Sequence, residues 1–436
     1  MPPALPAQLE IHPLRQPFDK VVRIPGSKSL TNRALLLAAL AEGTSTLTNV
    51  LFADDTRVMM AALKQLGISL DLDEATTTVT ARGCGGRWPV READLFLGNA
   101  GTAMRFLTAA CCLGPTGAKY RLHGIPRMHQ RPIGELVDLL RRLGATIDYD
   151  GEDGYPPLTV HGGGLRGGTL SIQPTLSSQY ISAILQIAPC LPQPLNIAFD
   201  GPITSKPYVE MTTRLMARFG THAKWTTHGV AIDPATYRGI DLAIEPDASN
   251  ASYFLAAAAA TGSRAQIPDL DEYSLQGDAR IDGVIERMRA TDGLTGIDID
   301  LHDMPDMAQT LAALAALAKG PTTIRNVGNL RVKETDRMAA LQSELTKLGA
   351  AVRIDGEDIH ITPPPEGRIK PALIETYDDH RMAMSFAVIG LAQPGITIHD
   401  PACVNKTFPT FWQTLNQLAP EGETVVDLPD AVESAG

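Results

Sequence analysis

Four segments of this chain share one pattern. A helix-like stretch ends in a large apolar residue and Gly, and two short strand-like runs follow with a turn between them. The segments are AALKQLGISLDLDEATTTVT (residues 61–80), VDLLRRLGATIDYDGEDGYPPLTV (137–160), LMARFGTHAKWTTHGVAI (215–232) and LQSELTKLGAAVRIDGEDIHI (341–361). Their anchors Gly67, Gly144, Gly220 and Gly349 lie 77, 76 and 129 residues apart, the last interval being close to two somewhat shorter units. Gly after the last apolar residue predicts a left-handed helix C-cap. The alternating runs predict half-buried strands joined by tight turns. A degenerate copy is expected at residues 284–300 (VIERMRATDGLTGIDID). A period this long means supersecondary units that bury their apolar faces on one another, and about six fit the chain. Two domains of three units follow, with a boundary expected in PATYRGIDLAIEPD (234–247) before the strong helix pattern of residues 248–260.

At 436 residues the chain is too long for one ordinary core, and its 44% apolar content supplies two. The formal charge of −11 argues against general nucleic-acid binding, though not against a local cationic site for a small anion. Aromatics at 5% disfavour stacking on nucleobases. Five cysteines, none in a C-x-x-C pair, read as reduced thiols of a cytoplasmic protein. The N-terminus lacks a secretory pattern, and no apolar run is long enough to span a bilayer. Residues 421–436 are acidic and weakly patterned, so fraying is expected there.

Charged and amide residues cluster at turn-like and helix-entry positions. IPGSKSLTNR (24–33) puts Lys28, Ser29 and Arg33 at the start of an apolar run, a good setting for a phosphorylated anion. It lacks the glycine spacing of a P-loop, and a plain helix cap at Ser29 or Thr31 is the competing reading. LGNAGTAMR (97–105) offers Gly101 for close backbone approach and Arg105 as a fork of donors. GIPRMHQRP (124–132) holds Arg127, His129 and Arg131 between prolines, and LSSQY (176–180) and TSKPY (204–208) offer hydroxyls, Gln179 and Lys206. In NLRVKETDR (329–337), a helical reading puts Lys333 and Arg337 on one face, with Glu334 beside Lys333. Asp306, after Pro305, reads as an N-cap or a general base. YDDHRM (377–382) opens another apolar helix at His380 and Arg381, and ACVNKTFP (402–409) adds Lys406. No second His stands at ligand spacing, which argues against a metal. If these entries face one cleft, many fixed positive charges suit two small polyanionic substrates.

In these runs the chain resembles the 5-enolpyruvylshikimate-3-phosphate synthase (3-phosphoshikimate 1-carboxyvinyltransferase) family of enolpyruvyl transferases, over roughly residues 9–418. The resemblance implies an α/β fold, a two-domain inside-out α/β barrel with three repeated units per domain and an active site in the interdomain cleft. Residues 1–24 and 246–436 would form a discontinuous domain I, and residues 25–245 domain II. It implies transfer of the enolpyruvyl group of phosphoenolpyruvate to the 5-hydroxyl of 3-phosphoshikimate, in the pathway to chorismate and aromatic amino acids. A monomer without metal or organic cofactor is expected. By resemblance, Ser29, Arg33, Ser177, Ser178, Ser205, Tyr208, Asn329 and Lys333 contact 3-phosphoshikimate, as does Asp306. Lys28 and Gln179 lie between both substrates. Gly101, Arg127, Arg337, Arg381 and Lys406 form the phosphoenolpyruvate site. Glu334, with Lys28, resembles the proton donor and Asp306 the base. Phe106 stands where many members carry Pro, and weaker inhibition by glyphosate is expected from it. Two alternatives are the related transferase acting on UDP-N-acetylglucosamine, which would need a reactive Cys, and a non-catalytic anion-binding scaffold.

Overall fold

A helix that is apolar on every side has to be buried, and one that is apolar on a single side lies over it. The computed structural model, which describes residues 5–173, 177–201, 203–271, 273–290 and 293–429, follows that division. The chain forms two units: Met1–Ile24, Pro246–Glu272 and Asp278–Gly436 make one, and Pro25–Glu245 with Tyr273–Gly277 the other. Outside the described residues lie Leu176 of LSSQY, residues 291–292 of the degenerate copy, and residues 430–436 of the C-terminal tail expected to fray.

In the 25–245 unit the helices are α1 (Lys28–Leu40), α2 (Asp54–Gln65), α3 (Gly101–Cys111), α4 (Gly134–Arg142), α5 (Ser178–Ile187) and α6 (Lys206–Arg218). α1, α3 and α5 are buried along almost their whole length, with α3 packed on both of the others. α2, α4 and α6 bury one face only. Three four-stranded sheets repeat one topology. In each, a parallel pair is extended by an antiparallel hairpin: Glu92–Phe96, Lys119–His123, Leu158–His161 and Thr146–Tyr149 are the middle example. Burial alternates along strands such as Thr44–Thr48, so one sheet face covers helices and the other meets solvent. Helices inside and sheets outside is the inside-out arrangement.

The other unit contains α7 (Ala248–Ala260), α8 (Ile281–Met288), α9 (Ala308–Leu317), α10 (Arg337–Lys347), α11 (His380–Ala392) and α12 (Phe411–Asn416). Ala-rich α7 and α9 are buried with α11, and the three pack pairwise. Asp298–Asp300, Thr322–Arg325, Asp358–Thr362 and Ala351–Asp355 repeat the sheet topology of the first unit. The last repeat is completed by the start of the chain, because Gln8–Ile11 pairs antiparallel with Ile396–His399. Asp19–Val21 pairs parallel with Arg264–Gln266.

The repeat anchors take the backbone expected of them. Gly67, Gly144, Gly220 and Gly349 have φ of 88°, 100°, 87° and 93°, each directly after a helix. A side chain there would be strained, and at Gly144 a Cβ would lie 2.4 Å from the Gly164 carbonyl oxygen. The degenerate copy is α8 followed by the two-residue strands Arg289–Ala290 and Gly293–Leu294. Residues 246–436 do not all stay in one unit. Tyr273–Gly277 packs with the 25–245 unit, where Ser274 and the Leu275 N–H donate to the Glu245 carboxylate and Arg214 donates to the Tyr273 and Ser274 carbonyls.

Candidate active site

Each unit carries a separate cluster of the sequence-predicted residues. In the discontinuous unit the cluster centres on Asp306, in the 3-10 turn Pro305–Met307 that leads into α9. Its carboxylate does not cap the helix. Oδ1 accepts from Arg337 Nη1 at 3.1 Å and lies 3.4 Å from Lys333 Nζ, and Oδ2 accepts from Arg381 Nη2 at 3.2 Å. Burial opposes its ionisation, but Lys333, Arg381 and Arg337 outweigh burial and hold the carboxyl far below the usual range. Burial also pushes the Lys333 ammonium down, against the pull of Asp306.

Lys333 and Arg337 do not share a helix face. α10 starts only at Arg337, capped by Asp336, and Lys333 ends the preceding 3-10 turn in extended backbone. The two cations meet on Asp306 instead. Glu334 is held by Arg337, whose Nη2 donates to its Oε2 at 2.9 Å. Asn329 is buried in the same 3-10 turn, and Lys406 is buried at the end of Pro401–Lys406.

Asp379 was not among the sequence-predicted residues, yet it organises this cluster. Its Oδ2 accepts from Arg337 Nε at 2.7 Å and its Oδ1 from Arg337 Nη2 at 3.2 Å, while Oδ1 also caps α11 by accepting from the Arg381 N–H at 3.0 Å. One wholly buried carboxylate thus orients the Arg337 guanidinium and fixes the backbone at Arg381. The signal was present in YDDHRM, as a carboxylate one residue before a helix of buried residues. Before it, Tyr377 and Asp378 both hold left-handed backbone, φ 56° and 55°, which costs non-glycine residues roughly 1–3 kcal/mol each. Buried Glu344 on α10 fixes that turn, accepting from Tyr377 Oη at 2.7 Å and from the Glu375 N–H at 3.0 Å. Tyr377→Phe is expected to lose about 1 kcal/mol of stability with the hydroxyl's bond, read as a lower denaturant midpoint at unchanged slope.

In the 25–245 unit the cluster begins at α1. Its cap is Ser27, not Ser29 or Thr31: the Ser27 hydroxyl accepts from the Leu30 N–H, so the helix starts at Lys28. Lys28 Nζ lies 3.2 Å from Asp55 Oδ2, a carboxylate in the first turn of α2 that sequence reasoning also missed. Arg33, one turn further along α1, is buried. It donates to Thr212 Oγ1 at 2.7 Å, the Ser29 carbonyl at 3.0 Å and Ser182 Oγ at 3.3 Å, with a 3.5 Å contact to the Tyr208 carbonyl. Ser182 and Thr212 sit inside helical runs and carried no separable sequence signal.

Ser177 caps α5 by accepting from the Gln179 N–H, and Ser178 begins that helix. Gln179 Nε2 reaches Thr102 Oγ1 at 3.4 Å, tying this helix start to α3. Ser205 occupies the N-cap position of α6 in left-handed backbone, φ 55°, without a side-chain capping bond. Arg127 is half-buried and donates to Gln130 Oε1, and the His129 ring accepts from the Gly124 N–H. The buried arginines near Gly101 are Arg105, donating to the Pro132 carbonyl at 2.9 Å, and Arg131, donating to the Asn99 carbonyl at 2.8 Å. A Cβ on Gly101 would lie 2.5 Å from Arg105 Nη1 and 2.7 Å from Arg131 Nη2. Both guanidinia are anchored, so Gly101→Ala is expected to displace them at a cost of about 1–3 kcal/mol. The readout is a lower denaturant midpoint at unchanged slope.

Among the described residues no group of three or more His, Cys, Asp or Glu could hold a metal ion. None of their helices is long and apolar enough to cross a membrane.

Two α/β units, each presenting buried cations, helix starts and positioned hydroxyls, define a protein that handles compact polyanions. Comparison with known proteins identifies which. Residues 14–415 match the family described as EPSP synthase (3-phosphoshikimate 1-carboxyvinyltransferase). A 3-phosphoshikimate 1-carboxyvinyltransferase from a Marinomonas species is 46% identical over 413 residues, covering 91% of this chain and 96% of its own length. One from a Nostoc species is 46% identical over 419 residues, covering 93% and 97%. The solved EPSP synthase of Acinetobacter baumannii superposes with a TM-score of 0.79 at 25% identity, covering 98% of this chain and all of that one. The chain belongs to the EPSP synthase family.

Proposed function

We infer that the protein transfers the enolpyruvyl group of phosphoenolpyruvate to the 5-hydroxyl of 3-phosphoshikimate and releases phosphate, a step toward chorismate and the aromatic amino acids. The observation that carries this reading is an ionised Asp306 set among Lys333, Arg337 and Arg381, with Glu334 on the same Arg337. It supplies an acid, a base and fixed cations within a few ångströms of one another.

The chemistry assigns the roles. Glu334, with Lys28, protonates the methylene carbon of phosphoenolpyruvate and leaves a cationic C2. Asp306 takes the proton of the 5-hydroxyl as that oxygen attacks C2; the tetrahedral adduct then expels phosphate from C2 while its new methyl group gives a proton back to the carboxylate of Glu334, which restores the double bond. Asp306 is suited to the base role by its access: its side chain is 18% exposed, against 8% for Glu334 and 0% for Asp379. Three cations make it a weak base at rest. An incoming anion that engages those cations weakens their hold, so Asp306 gains proton affinity as the substrates bind.

Arg337, Arg381 and Lys406, with Lys28, Gly101, Arg127 and Gln179, are assigned to phosphoenolpyruvate, where fixed positive charge stabilises the departing phosphate. Ser29, Arg33, Ser177, Ser178, Gln179, Ser205, Tyr208, Asn329 and Lys333 are assigned to 3-phosphoshikimate, with Lys28 between the two. No metal or organic cofactor enters this scheme. We place the protein in the cytoplasm as a monomer, the location supported by five unpaired cysteines. Sedimentation checks the monomer.

Acceptor choice separates this reading from transfer to UDP-N-acetylglucosamine. That alternative needs a reactive thiol, but Cys111 and Cys112 are fully buried, and burial pushes the Cys112 thiol up to about 12. The test is phosphate release from phosphoenolpyruvate with each acceptor. Release that depends on 3-phosphoshikimate and not on the nucleotide sugar supports the reading; the reverse pattern, or none with either, rejects it.

A further inference from the structure

Arg33 is a buried cation with no carboxylate hydrogen-bonded to it among the described residues. Among the described residues its in-plane partners are all neutral oxygens, those of Thr212, Ser29, Ser182 and Tyr208. Burial accordingly lowers the guanidinium to about 10. There is one further contact: Arg33 Cζ lies over the Phe106 ring, 5.0 Å from its centroid. Phe106 is wholly buried and Arg33 is 2% exposed, so little water screens the pair. A desolvated guanidinium over an aromatic face is held by the ring's quadrupole and oriented parallel or tilted to it.

We propose that Phe106 is a positioning residue of the acceptor half-site, its ring holding the Arg33 guanidinium in the orientation that receives an anionic group of 3-phosphoshikimate. Neutral hydroxyls and carbonyls fix the guanidinium edge, and the ring fixes its tilt. Neither cancels the charge, which is therefore left for the ligand. A carboxylate in place of the ring would hold Arg33 as firmly but would compete with the substrate anion. The Arg33 hydrogen bond to the Ser29 carbonyl places the group beside the first turn of α1, where Lys28 and Ser29 also lie. Phe106 belongs to α3, the helix that starts at Gly101, so one rigid element serves both the acceptor cation and the Gly101 turn.

This proposal rests on the acceptor assignment made above, and the experiment separates the two. Phenylalanines with one, two, three and five ring fluorines are introduced at position 106, which weakens the ring quadrupole with little change in shape. 3-Phosphoshikimate affinity is measured by calorimetry, KM for both substrates by phosphate release, and folding by thermal denaturation. The expected result is a stepwise loss of 3-phosphoshikimate affinity, reaching roughly 3- to 30-fold across the series, with KM for phosphoenolpyruvate nearly unchanged. Phe106→Leu, which keeps apolar bulk but removes the ring, is expected to fall at the weak end. An unchanged affinity across a folded series, or a change confined to phosphoenolpyruvate, overturns the role of Phe106 and leaves the acceptor assignment standing. Absence of 3-phosphoshikimate binding by the unmodified protein overturns both.

Discussion

Asp306→Asn is expected to lower phosphate release by roughly 10²- to 10⁴-fold in kcat, the range of a positioned general base. The change keeps size and shape but cannot accept the 5-hydroxyl proton. It also removes one negative charge from among Lys333, Arg337 and Arg381, so KM for phosphoenolpyruvate is expected to change far less than kcat. A variant with near-normal kcat would remove Asp306 from the base role. The same substitution has a pH signature. Because the folded carboxyl is held below its unfolded value, ionised Asp306 contributes stability above about pH 4, and that contribution fades as pH falls below it. Denaturation midpoints of the two proteins are therefore expected to differ most near neutrality and to converge in acid.

Asp379→Asn is expected to have the second largest effect, on stability and substrate binding together. Its carboxylate accepts two hydrogen bonds from a 2% exposed Arg337 and caps the helix that carries Arg381. Losing the charge of a buried, hydrogen-bonded pair costs about 3–5 kcal/mol where no other anion compensates. Here Asp306 and Glu334 still face Arg337 and reduce that cost. The expected outcome is a loss of at least 2 kcal/mol in urea unfolding and a KM for phosphoenolpyruvate raised tenfold or more. Since Asp379 touches Arg337 rather than the assigned reacting atoms, kcat is expected to fall less than in Asp306→Asn. Unaltered stability would show that the neighbouring carboxylates hold Arg337 without it.

Local features of the site were legible from the sequence because they depend on local chemistry. The segments that enter helices with a hydroxyl or carboxylate, the glycines that end them and the basic residues at those entries all follow from capping and backbone conformation. Those rules did not fix the cap to the residue: α1 begins after Ser27, and α10 begins four residues beyond Lys333. A helical reading of RVKETDR therefore placed Lys333 and Arg337 on one face, where the structure has a 3-10 turn ending at Val332 and non-helical backbone up to Arg337.

Charge pairing was decided by the tertiary structure alone. Arg337 finds Asp379 42 residues away, and Arg381 finds Asp306 75 residues away, because packing of α9, α10 and α11 brings their starts together. No spacing rule connects such positions. Phe106 shows the same limit. In sequence it is one apolar residue of a helix and a departure next to Gly101; in the structure its ring lies under Arg33. The repeat, its glycine anchors and the residues at each helix entry belong to the sequence, since each is set within a few residues of chain. Which carboxylate meets which cation belongs to the fold, since burial and distance between remote segments set those energies.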